Sequence, residues 1–188
     1  SGVVNLFSQN KNPLVRLKAV AVKNLKKSRK EEFSNITDNV NEILDDPDIS
    51  IVVELIGGYE PAKDYIIKAI QNGKHVVTAN KAVISEYGPE IFAEAKKHNV
   101  NVGFEGAVAG GIPIINPLLE QLSLGEIQSI TGILNGTTNF ILTRMGERID
   151  YESALAIAQE KGFAEADPSF DVKGLDAAQK IAILASLA

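Results

Sequence analysis

The sequence predicts an α/β fold built on a parallel sheet, followed by part of an α+β domain. Two observations support this prediction. Short apolar runs typical of buried strands alternate with segments whose apolar residues recur at helical spacing, which indicates right-handed βαβ units. The apolar run at 49–56 also leads directly into Gly57 and Gly58, at a strand end where open parallel sheets bind their ligands. The first domain is therefore expected to be Rossmann-like and to bind a nucleotide.

The first half of the chain supplies the elements of this sheet in order. The second helix has Thr37 as its expected N-cap, and the third has Pro61 in its first turn and ends at Gly73. The first helix is expected to end in the polar stretch 8–13, and residues 23–32 form a charged loop. The predicted strands are 16–22, 49–56, 74–78 and 100–106, and the predicted helices are 1–7, 37–46, 61–72 and 87–99.

The second half of the chain has a different pattern. A helix is predicted at 112–124 with Pro113 in its first turn, in spite of Pro117. The sequence then predicts a strand at 126–136 that runs into NGTTNF, and a helix capped by Asp150 and Gly162. The last helix, 174–188, carries apolar residues on nearly every face and is therefore expected to be buried.

These elements suggest three regions: a dinucleotide-binding domain at 1–103, a connecting and dimerisation segment at 104–124, and a substrate domain from 125 to 188. A nucleotide-binding sheet of this type begins with a strand and the motif G-x-G-x-x-G, whereas this sequence begins at the helix that follows them. The last helix reaches Ala188 without a capping residue. We therefore expect these residues to be part of a longer chain.

The composition narrows the classes of partner. With 19 Lys and Arg against 24 Asp and Glu, the formal net charge is −5, which argues against nucleic acid or an anionic membrane as the main partner. The sequence has no cysteine, which excludes disulfides, a thiolate nucleophile and cysteine-ligated metals. No apolar run approaches the length of a membrane span, and no leader-like segment opens the sequence. A soluble, cytoplasmic protein is expected.

Three strand ends are expected to meet along one edge of the sheet. Singly, two glycines after a strand usually form a turn and a lysine at a strand end is usually solvated, but their convergence favours a dinucleotide site. An acidic residue after the second strand would indicate NAD, whereas this loop carries lysines that suit the 2′-phosphate of NADP. We therefore favour NADP, with NAD as the alternative. The residues concerned are Lys23, Asn24, Lys26, Lys27, Gly57, Gly58, Thr78, Asn80 and Lys81.

A second group of polar residues surrounds the start of the last helix. Asp176 and Lys180 lie four residues apart and so on one helix face, after an acidic loop that contains Glu165, Asp167 and Asp171. An ordinary ion pair is one interpretation of Asp176 and Lys180. A functional pair is the other, because charges are seldom kept on an apolar helix unless they are paired or functional. Glu165 and Asp176 are the carboxylates best placed to hold a substrate ammonium or hydroxyl.

Two further segments allow a binding role as well as a structural one. EGAVAGGIPII (105–115) is rich in Gly and Ala, so backbone carbonyls can converge there and Glu105 can add a carboxylate oxygen for a cation. From spacing alone, a tight packing turn is the more common interpretation. NGTTNF (135–140) offers hydroxyls and amides for a small amino acid, although such runs are also ordinary turn chemistry.

Four separated motifs together resemble homoserine dehydrogenases, in the same order and at the same spacing, over essentially the whole chain: TANK, EGAVAGGIPII, ILNGTTNFIL and GFAEADPSFDVKGLDAAQK. The resemblance implies an oxidoreductase that interconverts aspartate β-semialdehyde and homoserine by hydride transfer with NADP(H) or NAD(H). Such an enzyme belongs to the biosynthesis of threonine, methionine and isoleucine. The resemblance also implies a homodimer and a bound monovalent cation, usually sodium.

The resemblance assigns roles to residues in these motifs. Lys180 would donate the proton, and Lys81 would lie beside the nicotinamide and the reacting oxygen. The cation would be held by the Glu105 side chain and by main-chain carbonyls at Val108, Gly110 and Ile112. The substrate amino acid would be held by Glu165 and Asp176, with Asp171, Thr137 and Gly162 in support.

Two alternatives remain at this point. GKHVVTANK also resembles a strand end of sugar-type oxidoreductases that have a similar nucleotide domain, but those enzymes usually carry E-K-P where this chain has N-K-A. A non-catalytic dinucleotide-binding module is the other alternative. The presence of both Lys180 and Glu165 argues against it.

Overall fold

The structure is a computed structural model that describes residues 2–9, 14–29, 33–122 and 124–188. Contacts between Cα atoms divide the chain into two compact units. The first, here called the sheet unit, comprises Ser1–Glu54, Glu60–Val77 and Pro89–Gly103. The second, the helical unit, comprises Leu55–Tyr59, Thr78–Gly88 and Phe104–Ala188.

The sheet unit contains two small sheets. β1 and β2 pair in parallel, with Val20 opposite Ile36. β3, β4 and β5 form the second sheet in that order, and β4 pairs in parallel with β5. Parallel strands joined by helices confirm the predicted α/β class. The elements of this half are α1 (Gly2–Gln9), β1 (Val20–Ala21), β2 (Ile36–Thr37), α2 (Asn41–Leu44), β3 (Ile51–Glu54), α3 (Ala62–Gln71), β4 (His75–Thr78), α4 (Lys81–Lys97) and β5 (Val102–Gly103).

Helix α3 forms where the sequence predicts it. Ala62, Ile66, Ala69 and Ile70 are buried at the spacing of one helix face. The helix begins directly after Pro61, and the left-handed φ of +72° at Gly73 ends it at low cost, since glycine has no Cβ. The predicted end at Gly73 is confirmed, whereas Pro61 is the N-cap of the helix and not, as predicted, a residue of its first turn.

The buried Lys74 binds the backbone of the segment that precedes β3. Lys74 is only 3% exposed, and its ammonium donates hydrogen bonds to the carbonyls of Asp46 and Ile49. Burying a charge costs stability unless polar groups replace the lost water, and here two backbone oxygens do so. The next residue, His75, donates its N–H to the Ser50 carbonyl at 2.9 Å, so β3 and β4 are joined at the same point.

Several predicted boundaries in this half were wrong. The strands are shorter than predicted, and Thr37 belongs to β2 instead of capping α2. The Asn39 side chain accepts the N–H of Asn41 at 3.1 Å at the start of α2. Helix α4 begins at Lys81, well before the predicted start at Tyr87. The end of the polar stretch 8–13 and the end of the charged loop 23–32 lie outside the described residues, but α1 extends to Gln9.

In the described residues, the helical unit contains the first part of α4, up to Gly88, a 3₁₀ turn and five further helices. Asp150 caps α7 by accepting the N–H of Ser153 at 2.9 Å, and Gly162 follows that helix with φ +74°, as predicted. The core of this unit consists of Ile141, Ala154, Ala158 and Ala164. The elements are the 3₁₀ turn Glu105–Ala107, α5 (Ile115–Leu122), α6 (Gly136–Gly146), α7 (Tyr151–Glu160), α8 (Ser169–Val172) and α9 (Leu175–Leu187).

Four predictions for this half were wrong. Residues 126–134 form no strand, because a strand needs a neighbour for its backbone hydrogen bonds and the sheets of the described chain consist of β1 to β5 alone. NGTTNF therefore begins a helix, α6, instead of ending a strand. Helix α9 buries one face only, since Leu175 is 51% exposed. Pro113 precedes α5, whose first turn contains Pro117.

None of the helices in the described ranges is long and apolar enough to cross a membrane.

Candidate active site

Two lysines share one carboxylate in the helical unit. Lys81 is the first residue of α4, and Lys180 lies one turn after Asp176 on α9. The Lys180 ammonium is 2.6 Å from one oxygen of Asp176, and the Lys81 ammonium is 3.2 Å from the other. The Asp176 side chain is 8% exposed, whereas those of Lys81 and Lys180 are 32% and 20% exposed. The buried carboxylate thus holds both cations at the edge of the solvent.

The environment of Asp176 keeps its carboxylate charged. Burial alone would raise the pKa of Asp176, because it disfavours the ionised form. Hydrogen bonds from Asn135, Lys180 and Lys81 outweigh that effect and lower the pKa. The group is therefore an anion throughout the neutral range.

Lys180 has a further acceptor and an unused donor. Its ammonium also donates to the Leu134 carbonyl at 2.7 Å. Since an ammonium carries three N–H bonds, the described residues leave one of them for a substrate oxygen. Lys81 lies 5.6 Å from the centre of the Phe170 ring, close enough for a cation–π contact. Both lysines are thus held in place with a donor that can face a ligand.

The sequence prediction missed Asn135, which joins the two acidic residues of this cluster. Its amide nitrogen donates to Asp171 at 2.7 Å and to Asp176 at 2.8 Å. Its amide oxygen caps α6 by accepting the N–H of Thr138 at 2.8 Å. An Asn directly before a helical segment is an N-cap signal, and that signal was available in the sequence.

The predicted substrate residues fall into two groups. The structure brings Asp171 and Asp176 together with Lys81 and Lys180 through the contacts above. The other three lie on the same unit, but none of their described contacts reaches the cluster. Thr137 donates its hydroxyl to the Phe163 carbonyl at 2.7 Å, Gly162 is exposed, and Glu165 is exposed with its main-chain carbonyl bound by Gln159.

The Gly57–Gly58 turn is tied to the start of α4. Asn80 donates its amide to the Gly58 carbonyl at 2.8 Å and accepts the N–H of Val83 at 3.3 Å as the cap of α4. Thr78 accepts the N–H of Asn80 at 2.9 Å. Gly57 and Gly58 have φ of +81° and +72°, and no atom lies within 4 Å of a Cβ built on either. The turn thus has open space beside it, as the close approach of a dinucleotide requires.

The predicted 2′-phosphate loop lies in the sheet unit. Lys23, Asn24, Lys26 and Lys27 are all exposed. Arg29, which the sequence prediction did not single out, donates to the carbonyls of Asn24 at 2.6 Å and Lys27 at 2.7 Å. These backbone oxygens are therefore bound by a guanidinium, and the exposed ammonium groups of the loop present positive charge to solvent.

Glu105, the predicted cation ligand, binds the N-terminus of α5. Its carboxylate accepts the N–H groups of Ile114, Ile115 and Asn116, the last two at 2.8 Å and 3.0 Å. Burial alone would raise the pKa of Glu105, but the backbone N–H groups of Asn116, Ile114 and Ile115 lower it. Gly106 packs closely here, because a Cβ built on it would lie 3.1 Å from that of Ala79, a tight contact.

The other predicted cation ligands share the loop before α5. Val108 is buried, Gly110 has φ +56°, and Ile112 is 66% exposed. Within the ranges that the structure describes, no three His, Cys, Asp or Glu side chains cluster as a metal site. A cation here would therefore depend on carbonyl oxygens and one carboxylate.

Both halves of the chain match domains of one known protein family. Residues 1–105 match the NAD-binding domain of homoserine dehydrogenase, and residues 113–188 match the homoserine dehydrogenase domain. The chain belongs to the homoserine dehydrogenase family. This confirms the resemblance drawn from the four motifs, and the alternative of a sugar-type oxidoreductase is not favoured.

Individual relatives agree with this family. The whole chain is 54% identical to a homoserine dehydrogenase of Synechocystis and 48% identical to one of Bacillus subtilis, and it spans 45% and 46% of their lengths. A homoserine dehydrogenase crystal structure from Thiobacillus denitrificans aligns with 98% of the chain and 45% of its own, with a TM-score of 0.91 and 46% identity. A hyperthermophilic archaeal homoserine dehydrogenase in complex with NADPH aligns with 83% of the chain and 48% of its own, with a TM-score of 0.74 and 34% identity.

Proposed function

We propose that the full-length protein is a homoserine dehydrogenase that interconverts aspartate β-semialdehyde and homoserine with NADP(H), and with NAD(H) as the less favoured cofactor. This reaction would serve the biosynthesis of threonine, methionine and isoleucine in the cytoplasm. The observation that carries the proposal is the buried Asp176 carboxylate between the Lys81 and Lys180 ammonium groups. Two oriented cations beside an acidic cluster suit a substrate that carries both an ammonium group and a reacting oxygen.

The chemistry required of the protein is limited. A bound nicotinamide dinucleotide supplies or accepts the hydride. Addition of hydride to the aldehyde carbon moves the carbonyl electron pair onto oxygen, and Lys180 then gives that oxygen a proton. In the reverse direction the neutral amine of Lys180 takes the hydroxyl proton as the hydride leaves carbon. Lys81 adds a second positive charge near the developing alkoxide.

Acidic side chains would hold the substrate ammonium. Asp171 and Asp176 lie on the same unit as both lysines, and Asn135 links their carboxylates. In our proposal Glu165 completes the binding of the ammonium group, and Thr137 and Gly162 line the same site. In this arrangement the carboxylates would face the ammonium group of the substrate, and the lysines would face its reacting oxygen.

The cofactor assignment gives the first test. Replacing Lys23, Lys26 and Lys27 with Gln should weaken NADP binding by at least about tenfold and leave NAD binding little changed, because only NADP carries a 2′-phosphate that these ammonium groups can bind. Homoserine oxidation by the full-length protein and its triple variant, measured over a range of each cofactor, checks this expectation.

The same assay tests the function itself. Absence of homoserine oxidation by the unchanged protein with either cofactor would contradict the proposed activity. Equal losses with NADP and NAD in the triple variant would contradict only the role of the loop. Replacement of the exposed Lys96 and Lys97 at the end of α4 with Gln is the matched control, and it should affect neither cofactor.

We also propose that Glu105 and the carbonyls of Val108, Gly110 and Ile112 bind a monovalent cation, with sodium as the expected ion. The support is chemical: the loop is glycine-rich, and Glu105 uses its two oxygens for three N–H bonds. A carboxylate has about four lone-pair sites, so it keeps capacity for one cation.

Glu105→Ala should reduce the dependence of homoserine oxidation on sodium, because carbonyl dipoles alone compensate the charge of the ion poorly. The same change should lower the melting temperature, since three N–H groups at the start of α5 lose their acceptor. Titrating activity with sodium in both proteins checks the first effect. Activity that is indifferent to sodium in the unchanged protein would rule out the cation site.

We propose a dinucleotide-binding domain at 1–103, a dimerisation segment at 104–124 and a substrate domain at 125–188, with a homodimer as the functional form. The matched family ranges, 1–105 and 113–188, support these boundaries. Exposed apolar side chains of the helical unit, among them Leu119 at 45% and Leu142 at 65%, support contact with a second copy.

A further inference from the structure

We propose that Asn135 is a positioning residue that holds the Asp171 and Asp176 carboxylates side by side and thereby orients the lysines bound to Asp176. The proposal deepens the proposed function and rests on it for its activity measurements. Asn135 forms no described hydrogen bond with either lysine, but it bonds to the Asp176 carboxylate that both lysines share.

The amide of Asn135 is saturated. A primary amide has two N–H donors and an oxygen with two lone pairs. The donors go to Asp171 at 2.7 Å and Asp176 at 2.8 Å. The oxygen accepts the N–H and the hydroxyl of Thr138, both at 2.8 Å. Asn135 is 7% exposed, so these four bonds form away from water.

The amide can adopt only one orientation here. If its oxygen and nitrogen were exchanged, the oxygen would face two carboxylates, and the nitrogen would face a backbone N–H. Both contacts would be repulsive. The side chain therefore has two distinct roles: its oxygen begins α6 as a cap, and its nitrogen bridges two acids.

The bridge solves an electrostatic problem. Two carboxylates near one another disfavour each other's ionised form, and such pairs commonly share a proton. In the described part of the chain, Lys180 on α9 and Lys81 on α4 form ion pairs with Asp176, and no ion pair joins either lysine to Asp171. Asn135 supplies Asp171 with a donor in addition to those around Asp176. It thus gives each of the two neighbouring carboxylates a neutral hydrogen-bond donor and holds the two together, as binding of a substrate ammonium requires.

Asn135→Asp separates the two roles of the side chain. An Asp caps a helix as well as an Asn does, so the bond to Thr138 is kept. The bridging donors are lost, and the new carboxyl lies beside two others. It can replace one donor only while it is protonated, so kcat/KM for homoserine relative to the unchanged protein should fall as pH rises from mildly acid to mildly alkaline. At the alkaline end we expect a loss of about 10–100-fold, by analogy with the loss of hydrogen-bond partners that orient metal ligands.

A readout without substrate follows from the same change. Burial and the two neighbouring carboxylates raise the folded-state pKa of the new carboxyl above its unfolded value, against the opposing charge of Lys180, which is paired with Asp176. Its contribution to stability is then present at low pH and is lost as pH rises through the folded pKa. The melting temperature of Asn135→Asp should therefore fall further below that of the unchanged protein as pH is raised. This measurement stands even if the proposed activity is wrong.

Two more variants complete the experiment on the full-length protein. Asn135→Ser keeps a cap and one donor without a new charge, so it should lower kcat/KM by about tenfold or more at every pH, and it serves if Asn135→Asp does not fold. Asp150→Asn makes the opposite exchange at the cap of α7 and should leave the pH dependence of kcat/KM unchanged. If Asn135→Asp keeps the pH profile and melting curve of the unchanged protein, or if Asn135→Ser is fully active, Asn135 is a helix cap only and the proposal is overturned.

Discussion

Lys180→Ala should depress the turnover of the full-length enzyme by about two to four orders of magnitude, the usual range for the loss of a general acid–base group. The reason is geometric, because Asp176 and the Leu134 carbonyl hold the ammonium with one N–H left for a substrate oxygen. Cofactor affinity should barely change, since this role is confined to the proton. Steady-state kinetics with homoserine and NADP measure both quantities.

Lys180→Arg is the matched control for charge. The guanidinium can keep the pair with Asp176, but it does not lose a proton in the neutral range and so cannot act as a donor. We expect turnover to stay low while the melting temperature recovers relative to Lys180→Ala. A folded, fully active Lys180→Ala enzyme would contradict the mechanism, and so would an active Lys180→Arg enzyme.

Asp176→Asn should affect both stability and substrate binding. Removing one partner of a buried ion pair lowers the free energy of unfolding by about 3–5 kcal/mol. The lower end of this range applies here, because the side chains of Lys81 and Lys180 are 32% and 20% exposed. The Michaelis constant for homoserine should also rise, since the substrate ammonium loses a carboxylate. Thermal unfolding and steady-state kinetics on the same preparation measure the two effects.

The stability effect of Asp176→Asn should depend on pH with a defined sign. The folded-state pKa of Asp176 is lowered, so its contribution to stability is present above its unfolded pKa and is lost as pH falls through the folded pKa. The gap in melting temperature between the two proteins should therefore be widest near neutral pH and should narrow in acid, below about pH 4, the ordinary range for Asp. A gap that is constant with pH would contradict an ionised structural role.

Local chemistry was sufficient to predict some elements. Helix α3 was predicted because its apolar stripe, Pro61 and Gly73 all indicate the same element. Helix α7 was predicted for the same reason, from Asp150 and Gly162. Where the apolar periodicity and the residues at both helix ends agree, the local sequence is enough to predict the helix.

Other elements depend on partners that a sequence pattern does not reveal. The apolar run in the segment 126–136 was interpreted as a strand, but the sheets of the described residues contain no strand that pairs with it. The apolar residues of α9 suggested burial on every face, and the fold covers only the face that carries Asp176, Ile183 and Leu184. The hydrophobicity of a segment indicates which residues can be buried, but which of them are buried depends on the elements that pack against the segment.

The candidate site shows the same limit. Asp176 and Lys180 were found together because helical spacing relates them directly. Lys81 joins them from a segment far away in sequence. The resemblance placed Lys81 beside the reacting oxygen, but its contact with Asp176 was not predicted. Asn135 was passed over because its run was interpreted as a strand end, and its bridging role depends on α8 and α9 lying beside it.

The contact between Glu105 and the start of α5 also has a consequence for chain entropy. Its bonds to Ile115 and Asn116 join the two ends of the loop 106–113, so this segment is a closed ring in the folded protein. The entropy lost in closing a loop is then lost on folding and not on ligand binding. A ligand that used the carbonyls of this ring would restrain a short segment with fixed ends. Loss of the Glu105 contacts would therefore weaken the binding of such a ligand, even if every carbonyl that it contacts were unchanged.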